Sequence, residues 1–311
     1  MEKRDIPQQE TLMNTCHKLI SVAWNIGNRI HQNSIDKWLS NFSGEALRSV
    51  EIHSKEPVEK FEKRLALFLL CNFVYYNEDE IKYLTRTMFD KYVHSVFLSE
   101  NKTIVNDTDI NDLLKKTQFT FLGRNSESSS YLLYHFRQEN DLSTESFEEN
   151  EETTNVVFID DFSITGEQVY RHIASESSKN KKRFVLLMVA TKEAVAQLEK
   201  LGITVLPCIV LDDKSKVFSD TSAIFEGYKD HYKELTKTMC EFYGKKLIGR
   251  SEKMTPLGYA GGEYMFGTHY NIPNNTLPIF WSNKNGWHYL FKRYDKKNGW
   301  NINSGGRYVY V

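Results

Sequence analysis

Two adjacent carboxylates, Asp160 and Asp161, stand directly after the apolar run Val156-Val157-Phe158-Ile159 and directly before Phe162-Ser163-Ile164-Thr165-Gly166-Glu167-Gln168. The apolar run, bounded by polar segments, reads as a short buried strand at the centre of a parallel sheet. Ligands of open α/β sheets bind at the carboxyl ends of the strands, which is where both carboxylates fall. Such a pair suits sugar hydroxyls or a divalent cation. The small and hydroxyl residues that follow lead into a helix N-terminus, whose backbone N–H groups can dock a phosphate. The plainer alternative is a strand–turn–helix in which the aspartates only cap the helix.

Two further stretches have the composition of binding loops. The segment 118–122 alternates as a strand and ends in Gly123-Arg124-Asn125-Ser126-Glu127-Ser128-Ser129-Ser130, ahead of the apolar run 131–136. Gly123, Arg124, Asn125, Ser126, Ser128 and Ser129 form a small-residue loop able to hold an anion on backbone N–H groups, with Arg124 adding a bidentate cation. A polar loop with a serine cap fits the same residues. Downstream, Asn271-Ile272-Pro273-Asn274-Asn275-Thr276-Leu277-Pro278 sets Asn271, Asn274 and Asn275 in a stiff polar turn. Those amides can donate to and accept from a base or ribose edge, or satisfy backbone groups of the turn itself. Leu211-Asp212-Asp213 repeats a strand with two carboxylates, but Lys214-Ser215-Lys216 follows in place of a phosphate cup, so it reads as a strand-end turn. The histidines are scattered rather than paired at ligand spacing, and there is no convincing Ser/His/Asp or Cys/His arrangement.

These loops need a scaffold. A helix over 166–178, a strand over 184–189, a helix over 192–201 and a strand over 203–211 alternate as βαβ units of a parallel sheet. Pro207 fits best if the last strand lies at an edge. Upstream, apolar spacings of three and four predict helices over 8–32, 33–42, 56–76 and 79–98. They make a helical lobe that packs on the larger domain or offers a docking surface to a partner protein. A long helix is expected over 220–243. The acidic stretch 139–152 has no basic residue and reads as a solvated, mobile loop. The tail 282–311 interleaves aromatic and basic residues, which suits single-stranded nucleic acid and suits better a small hairpin turning at Asn298-Gly299.

Charge and cysteine usage narrow the class. Across 311 residues, 40 Lys and Arg balance 41 Asp and Glu for a net charge of -1, so no global field draws nucleic acid. Cys16, Cys71, Cys208 and Cys240 lack Cys-x-x-Cys spacing and read as buried thiols of a cytoplasmic protein. The polar start and the short, interrupted apolar runs give neither a signal peptide nor a membrane span.

The apolar strand, Asp-Asp and a Thr-Gly that opens a helix together resemble the ribose-5-phosphate loop of type I phosphoribosyltransferases. The Asp-Asp-Phe-Ser-x-Thr-Gly-x-Gln form, the Gly123-Arg124-Asn125-Ser126-Glu127-Ser128-Ser129 loop and the Pro273-Asn274-Asn275-Thr276-Leu277-Pro278-x-x-Trp281 run resemble the PRTase-CE family, phosphoribosyltransferase-like proteins of bacterial conflict and anti-phage systems. The resemblance covers roughly 65–281. It implies an α/β fold with a parallel-sheet type I phosphoribosyltransferase-like core at 100–281, the helical lobe at 1–99 and a short C-terminal β extension at 282–311.

The same resemblance assigns Asp160 and Asp161 to the ribose hydroxyls and Mg²⁺, as the catalytic carboxylates. It wraps Ser163, Ile164, Thr165, Gly166, Glu167 and Gln168 around the 5-phosphate, puts the Gly123 loop on pyrophosphate, and makes the asparagine turn a hood over the acceptor. The implied function is an anti-phage effector that binds phosphoribosyl pyrophosphate or a nucleotide with Mg²⁺ and acts at ribose C1. Alternatives are a non-catalytic nucleotide sensor that signals to a partner protein, and a nucleosidase-type hydrolase of a nucleotide such as NAD. Three departures stand out: Ile164 replaces a hydroxyl residue, Gln168 replaces a terminal threonine, and 139–152 stands where type I enzymes carry another strand and a mobile catalytic loop.

Overall fold

The computed structural model describes residues 3–20, 24–25, 28–52, 54–102, 105–122, 128–175, 180–249 and 252–293. Helix α1 (Gln9–Ile20) gives way to an antiparallel ribbon of β1 (Trp24–Asn25) and β2 (Asn28–Arg29), so the single helix expected over 8–32 ends early. Asn25 pairs with Asn28 in this ribbon, and asparagine's preference for turns over helix outweighs the apolar spacing there. Helices α2 (Gln32–Leu39) and α3 (Val58–Cys71) follow; Asn72 ends α3, and the chain continues as strand β3 (Val74–Tyr76) rather than as helix to 76. Helix α4 (Glu78–Ser99) opens on a reciprocal cap. Asn77 accepts from the Glu80 N–H at 2.9 Å while Glu80 accepts from the Asn77 N–H at 2.7 Å.

After α5 (Asp107–Lys115) the chain alternates as expected: β4 (Thr117–Phe121), α6 (Ser128–Glu139), β5 (Asn155–Ser163), α7 (Glu167–Ser175), β6 (Lys182–Thr191), α8 (Lys192–Glu199) and β7 (Thr204–Leu211). The four strands form a parallel sheet in the order β4-β5-β6-β7. Strand β5 is interior and covered on both sides. Val156 and Phe158 pack with Val169, Ile173 and Leu198 of α7 and α8, while Val157 and Ile159 pack with Tyr92 and Phe136 of α4 and α6. Burial on both faces is why its sequence is continuously apolar instead of alternating. Pro207 lies in β7, an edge strand, where a missing N–H is tolerated. Asp212 caps the short turn Asp213–Ser215, in keeping with its reading as a strand-end turn.

The helix expected over 220–243 is α9 (His231–Leu247); the stretch before it is irregular, turns at Gly227 (φ 78°), and buries Val217, Phe218 and Phe225. A short hairpin of β8 (Met254–Thr255) and β9 (Gly258–Tyr259) follows. Strand β10 (Phe266–Thr268) then pairs in parallel with β3, placing Gly267 opposite Tyr75.

The cores divide differently from a break at residue 99. Helix α4 buries Ile81, Met88, Tyr92 and Val96 against the sheet, and its Tyr92 hydroxyl lies 2.6 Å from Thr117 Oγ1 and accepts from Asn155 Nδ2 at 3.2 Å. Helices α1 to α3 share their core with α9 and with residues of 257–291. The acidic stretch is anchored rather than loose: Leu142 is buried, and the Phe147 ring packs on Phe119 at 6.0 Å between centroids. Of the C-terminal extension, 282–293 holds the 3-10 turn Lys284–Gly286 and no strand; the expected turn at Asn298-Gly299 lies outside the described residues. All four cysteines are free thiols, with Cys16 and Cys71 Sγ 3.3 Å apart between α1 and α3. Among the described residues no helix is long and apolar enough to cross a membrane.

Glu62 of α3 ties this second core together. Fully buried, it accepts from the N–H groups of Gly44 (2.8 Å) and Leu47 (2.9 Å) and from the Tyr243 hydroxyl of α9 (2.6 Å). Glu62→Ala leaves the buried Gly44 and Leu47 N–H groups without their acceptor and the Tyr243 hydroxyl with only Ser43 Oγ at 3.4 Å, and is expected to cost about 3 kcal/mol or more of stability, read from urea melts.

Candidate functional site

Strand β5 delivers Asp160 and Asp161 at its carboxyl end, each only 4% exposed. Carboxylates are seldom so buried unless paired. Asp161 accepts from Asn271 Nδ2 at 2.9 Å and from the Phe162 N–H at 2.9 Å, and Ser128, the first residue of α6, bonds it as well. Asp160 Oδ1 accepts from the Asp161 N–H at 3.0 Å. Burial pushes the Asp161 carboxyl above its usual range, and the bonds from Asn271 and Ser128 pull the other way without overcoming it. Neither of those donors brings a positive charge, so a cation or ligand hydroxyls would relieve the pair.

The loop that follows is pinned from β6. Thr191 Oγ1 donates to the Ile164 carbonyl at 2.8 Å and accepts from the Ala194 N–H at 3.0 Å, fixing the turn between β5 and α7. Gly166 adopts φ 71°, a conformation that favours glycine, and a Cβ there would meet the Ala194 carbonyl at 3.4 Å. The first helical bond of α7 runs from the Tyr170 N–H to the Gly166 carbonyl at 2.9 Å. The N–H groups of Gln168 and Val169 precede it without an intrahelical acceptor, and with the helix dipole they can receive an anion. Ile164 contributes a backbone N–H but no hydroxyl. The Glu167 carboxylate accepts from Arg171 and, at 2.7 and 2.8 Å, from Lys253 Nζ, which together hold it below the usual range.

The asparagine turn roofs this loop, and its amides do separate jobs. Asn271 is set by a tight turn, its carbonyl accepting from the Thr268 N–H at 2.8 Å and its own N–H donating to Thr268 Oγ1 at 2.8 Å, and its side chain grips Asp161. Asn275 donates instead to the Tyr259 carbonyl at 2.9 Å, satisfying backbone. Asn274 receives the Tyr259 N–H on its carbonyl at 2.8 Å, and it too lines the cleft.

One cleft of 720 Å³ therefore gathers Asp160, Asp161, Ser163, Ile164, Thr165, Gly166, Glu167, Gln168, Ser128, Asn271, Asn274 and Asn275. Gly123, Arg124, Asn125 and Ser126 lie outside the described residues, as does the side chain of Ser129. The cleft adds Arg171, His172, Tyr259 and Arg293, which the sequence reading missed. Arg171 follows Glu167 by one helical turn, a spacing that could have flagged it. Arg293 sits over the Trp281 ring at 4.8 Å, a placement only the long-range fold supplies.

Nearby titratable groups are poor proton carriers. Tyr270 is pushed well above its usual range by burial and by the charges of Asp161 and Asp160. His269, with its Nε2 2.8 Å from the Tyr131 hydroxyl, is pushed down to about 4 by burial. Among the described residues no three His, Cys, Asp or Glu side chains converge as a metal cage. Two carboxylates in a polar cleft match the way Mg²⁺ is held, by one or two carboxylates with substrate oxygens and water completing the shell.

The raised Asp161 carboxyl has a sign that can be tested. Between the usual carboxylate range and the raised value the folded chain holds a proton that the unfolded chain releases. The stability this gives is present at low pH and lost as pH rises through the folded value. Asp161→Asn removes that loss, so without divalent cations its melting temperature is expected to exceed wild type at pH 7.5, with the gap narrowing at pH 4.

Among curated proteins none matches this chain. Among solved structures, an orotate phosphoribosyltransferase from Aeropyrum pernix is similar at 15% identity and a TM-score of 0.24, over 32% of this chain and 63% of that one. This chain thus spans less than two thirds of that relative's length, and the cleft's own geometry carries the chemistry. The PRTase-CE family model matches residues 35–293, which takes in the sheet, the Asp-Asp strand, the loop 163–168 and the asparagine turn; the chain belongs to the PRTase-CE family.

Proposed function

We propose that the cleft binds phosphoribosyl pyrophosphate or a nucleotide together with Mg²⁺, and that the chain acts at ribose C1 as an effector in bacterial anti-phage defence. The observation that supports this is the meeting, in one cleft, of a buried carboxylate pair and an anion seat at the start of α7. The seat takes the 5-phosphate on backbone N–H groups and so fixes the sugar. The carboxylates then face the ribose. Breaking the bond at C1 builds positive charge on the ring, and Asp160 or Asp161 stabilises it electrostatically in a site that need not reorganise. Asn271 orients Asp161. No protein nucleophile is required: the leaving group departs with the electron pair of the broken bond, and an acceptor nitrogen or a water molecule forms the new bond to C1. When bound, Mg²⁺ supplies the charge that stabilises a departing pyrophosphate. The defence role follows the PRTase-CE family.

A non-catalytic nucleotide sensor is the second reading. It is favoured by the acidic stretch 139–152, which is anchored through Phe147 on Phe119 where type I enzymes carry a mobile catalytic loop. In that reading the helical lobe would pass the signal to a protein partner of the same system.

Calorimetry with phosphoribosyl pyrophosphate and Mg²⁺ tests the shared claim. Wild type is expected to bind and Asp160→Asn/Asp161→Asn to lose at least about tenfold in affinity, or about 1.4 kcal/mol; no binding, or equal binding by both, contradicts it. Mass spectrometry of nucleotides in expressing cells separates the readings. An enzyme depletes a nucleotide pool and the double variant does not, whereas a sensor leaves the pool unchanged.

A further inference from the structure

Helices α1 and α3 meet through sulfur. Cys16 of α1 is fully buried, and its Sγ stands 3.3 Å from that of Cys71, the last residue of α3, which is only partly covered. Cys71 donates to the Leu12 carbonyl at 3.3 Å, so the Cys16 S–H is left to donate to the Cys71 sulfur. A disulfide needs about 2.0 Å between its sulfurs, and closing this pair takes a shift of about 1.3 Å. The other thiols are placed differently: Cys208 donates to the Leu84 carbonyl at 3.6 Å, and Cys240 is buried in α9.

The two sulfurs differ in access, which sets an order of events. A small disulfide reaches Cys71 and not Cys16. Cys71 gives its proton to solvent and attacks one sulfur of the small disulfide; that S–S bond breaks, and one small thiolate leaves with the electron pair and takes up a proton. Cys16 then gives up its own proton and attacks the Cys71 sulfur, and the mixed disulfide breaks to release the second small thiol. Two protein thiols are oxidised by two electrons, and one small disulfide is reduced to two thiols. Because the protein sulfurs are already in contact, the second step is intramolecular and outruns capture by thiols in solution. Only Asn72 and Phe73 separate Cys71 from β3. That strand pairs with β10, and its Tyr76 carbonyl accepts the His269 N–H at 3.1 Å, two residues before Asn271.

We infer that Cys16 and Cys71 are a reversible redox pair, closed by exchange with a low-molecular-weight disulfide, that fastens α1 to the segment on which the asparagine turn is mounted. In a reducing compartment the pair stands open as a dithiol and closes when the disulfide pool rises. The inference does not depend on which ligand the cleft takes.

Incubating the folded full-length chain with glutathione disulfide, followed by alkylation and mass spectrometry, tests it. Wild type is expected to lose two of its four thiols, to weigh two hydrogens less and to yield fragments bearing Cys16 and Cys71 joined, all reversed by dithiothreitol. It is also expected to melt several degrees higher, because the cross-link restricts the unfolded chain between positions 55 apart. Cys16→Ser is expected to stop at the mixed disulfide, keeping one glutathione on Cys71, and Cys71→Ser to leave Cys16 reduced. A stable glutathione adduct on wild-type Cys71, or Cys16 and Cys71 left reduced under excess glutathione disulfide, overturns the pair. Both contrary outcomes are read on wild type and stand whether or not either serine variant folds.

Discussion

Two carboxylates lie side by side at the end of an interior strand, each 4% exposed, and the donors Asn271 and Ser128 that reach Asp161 carry no charge. Burying an ionised carboxylate is costly unless it is paired or hydrogen-bonded. The fold meets part of that cost with the amide of Asn271, the side chain of Ser128 and the N–H groups at the end of β5. Burial nevertheless holds the Asp161 carboxyl above its usual range, so the strand end is kept at some expense of stability.

Much of the rest of the molecule serves to hold Asn271 over Asp161. The roof hangs from β10, which pairs with β3 at the end of α3, so the N-terminal helices and the roof share one core. Helix α9 carries the other side. At Gly244 a Cβ would stand 2.2 Å from the Pro256 carbonyl, so only glycine lets the β8 and β9 hairpin lie this close to the helix. The helical lobe is thus the mounting of the roof as much as a separate unit. Helix α4, grouped with that lobe by sequence alone, instead closes one face of the sheet.

The sequence made the sheet and the heart of the site readable because their signals are local. A continuous apolar run marks a strand buried on both faces, and Asp-Asp before a small-residue turn marks its carboxyl end. The strand and helix alternation through β7 followed from period alone. What stayed hidden depends on contacts between distant segments. The pairing of 74–76 with 266–268 joins residues nearly two hundred apart, and Val74-Tyr75-Tyr76 read as the tail of a helix until Asn72 is seen to end it. Arg293 and Tyr259 enter the cleft only because the roof folds back. The division of labour among the asparagines was equally hidden, since one grips a carboxylate and another satisfies backbone, and both chemistries suit the same residue type.

The central claim is that one cleft seats a sugar phosphate at the start of α7 with its ribose and a divalent cation at the carboxylate pair. A crystal structure with ribose 5-phosphate and Mn²⁺, a scattering stand-in for Mg²⁺, tests this most directly. The account predicts phosphate density against the N–H groups of Gln168 and Val169 and an anomalous peak beside Asp160 or Asp161. Phosphate and metal found elsewhere, with no density for either beside the two carboxylates, would contradict it.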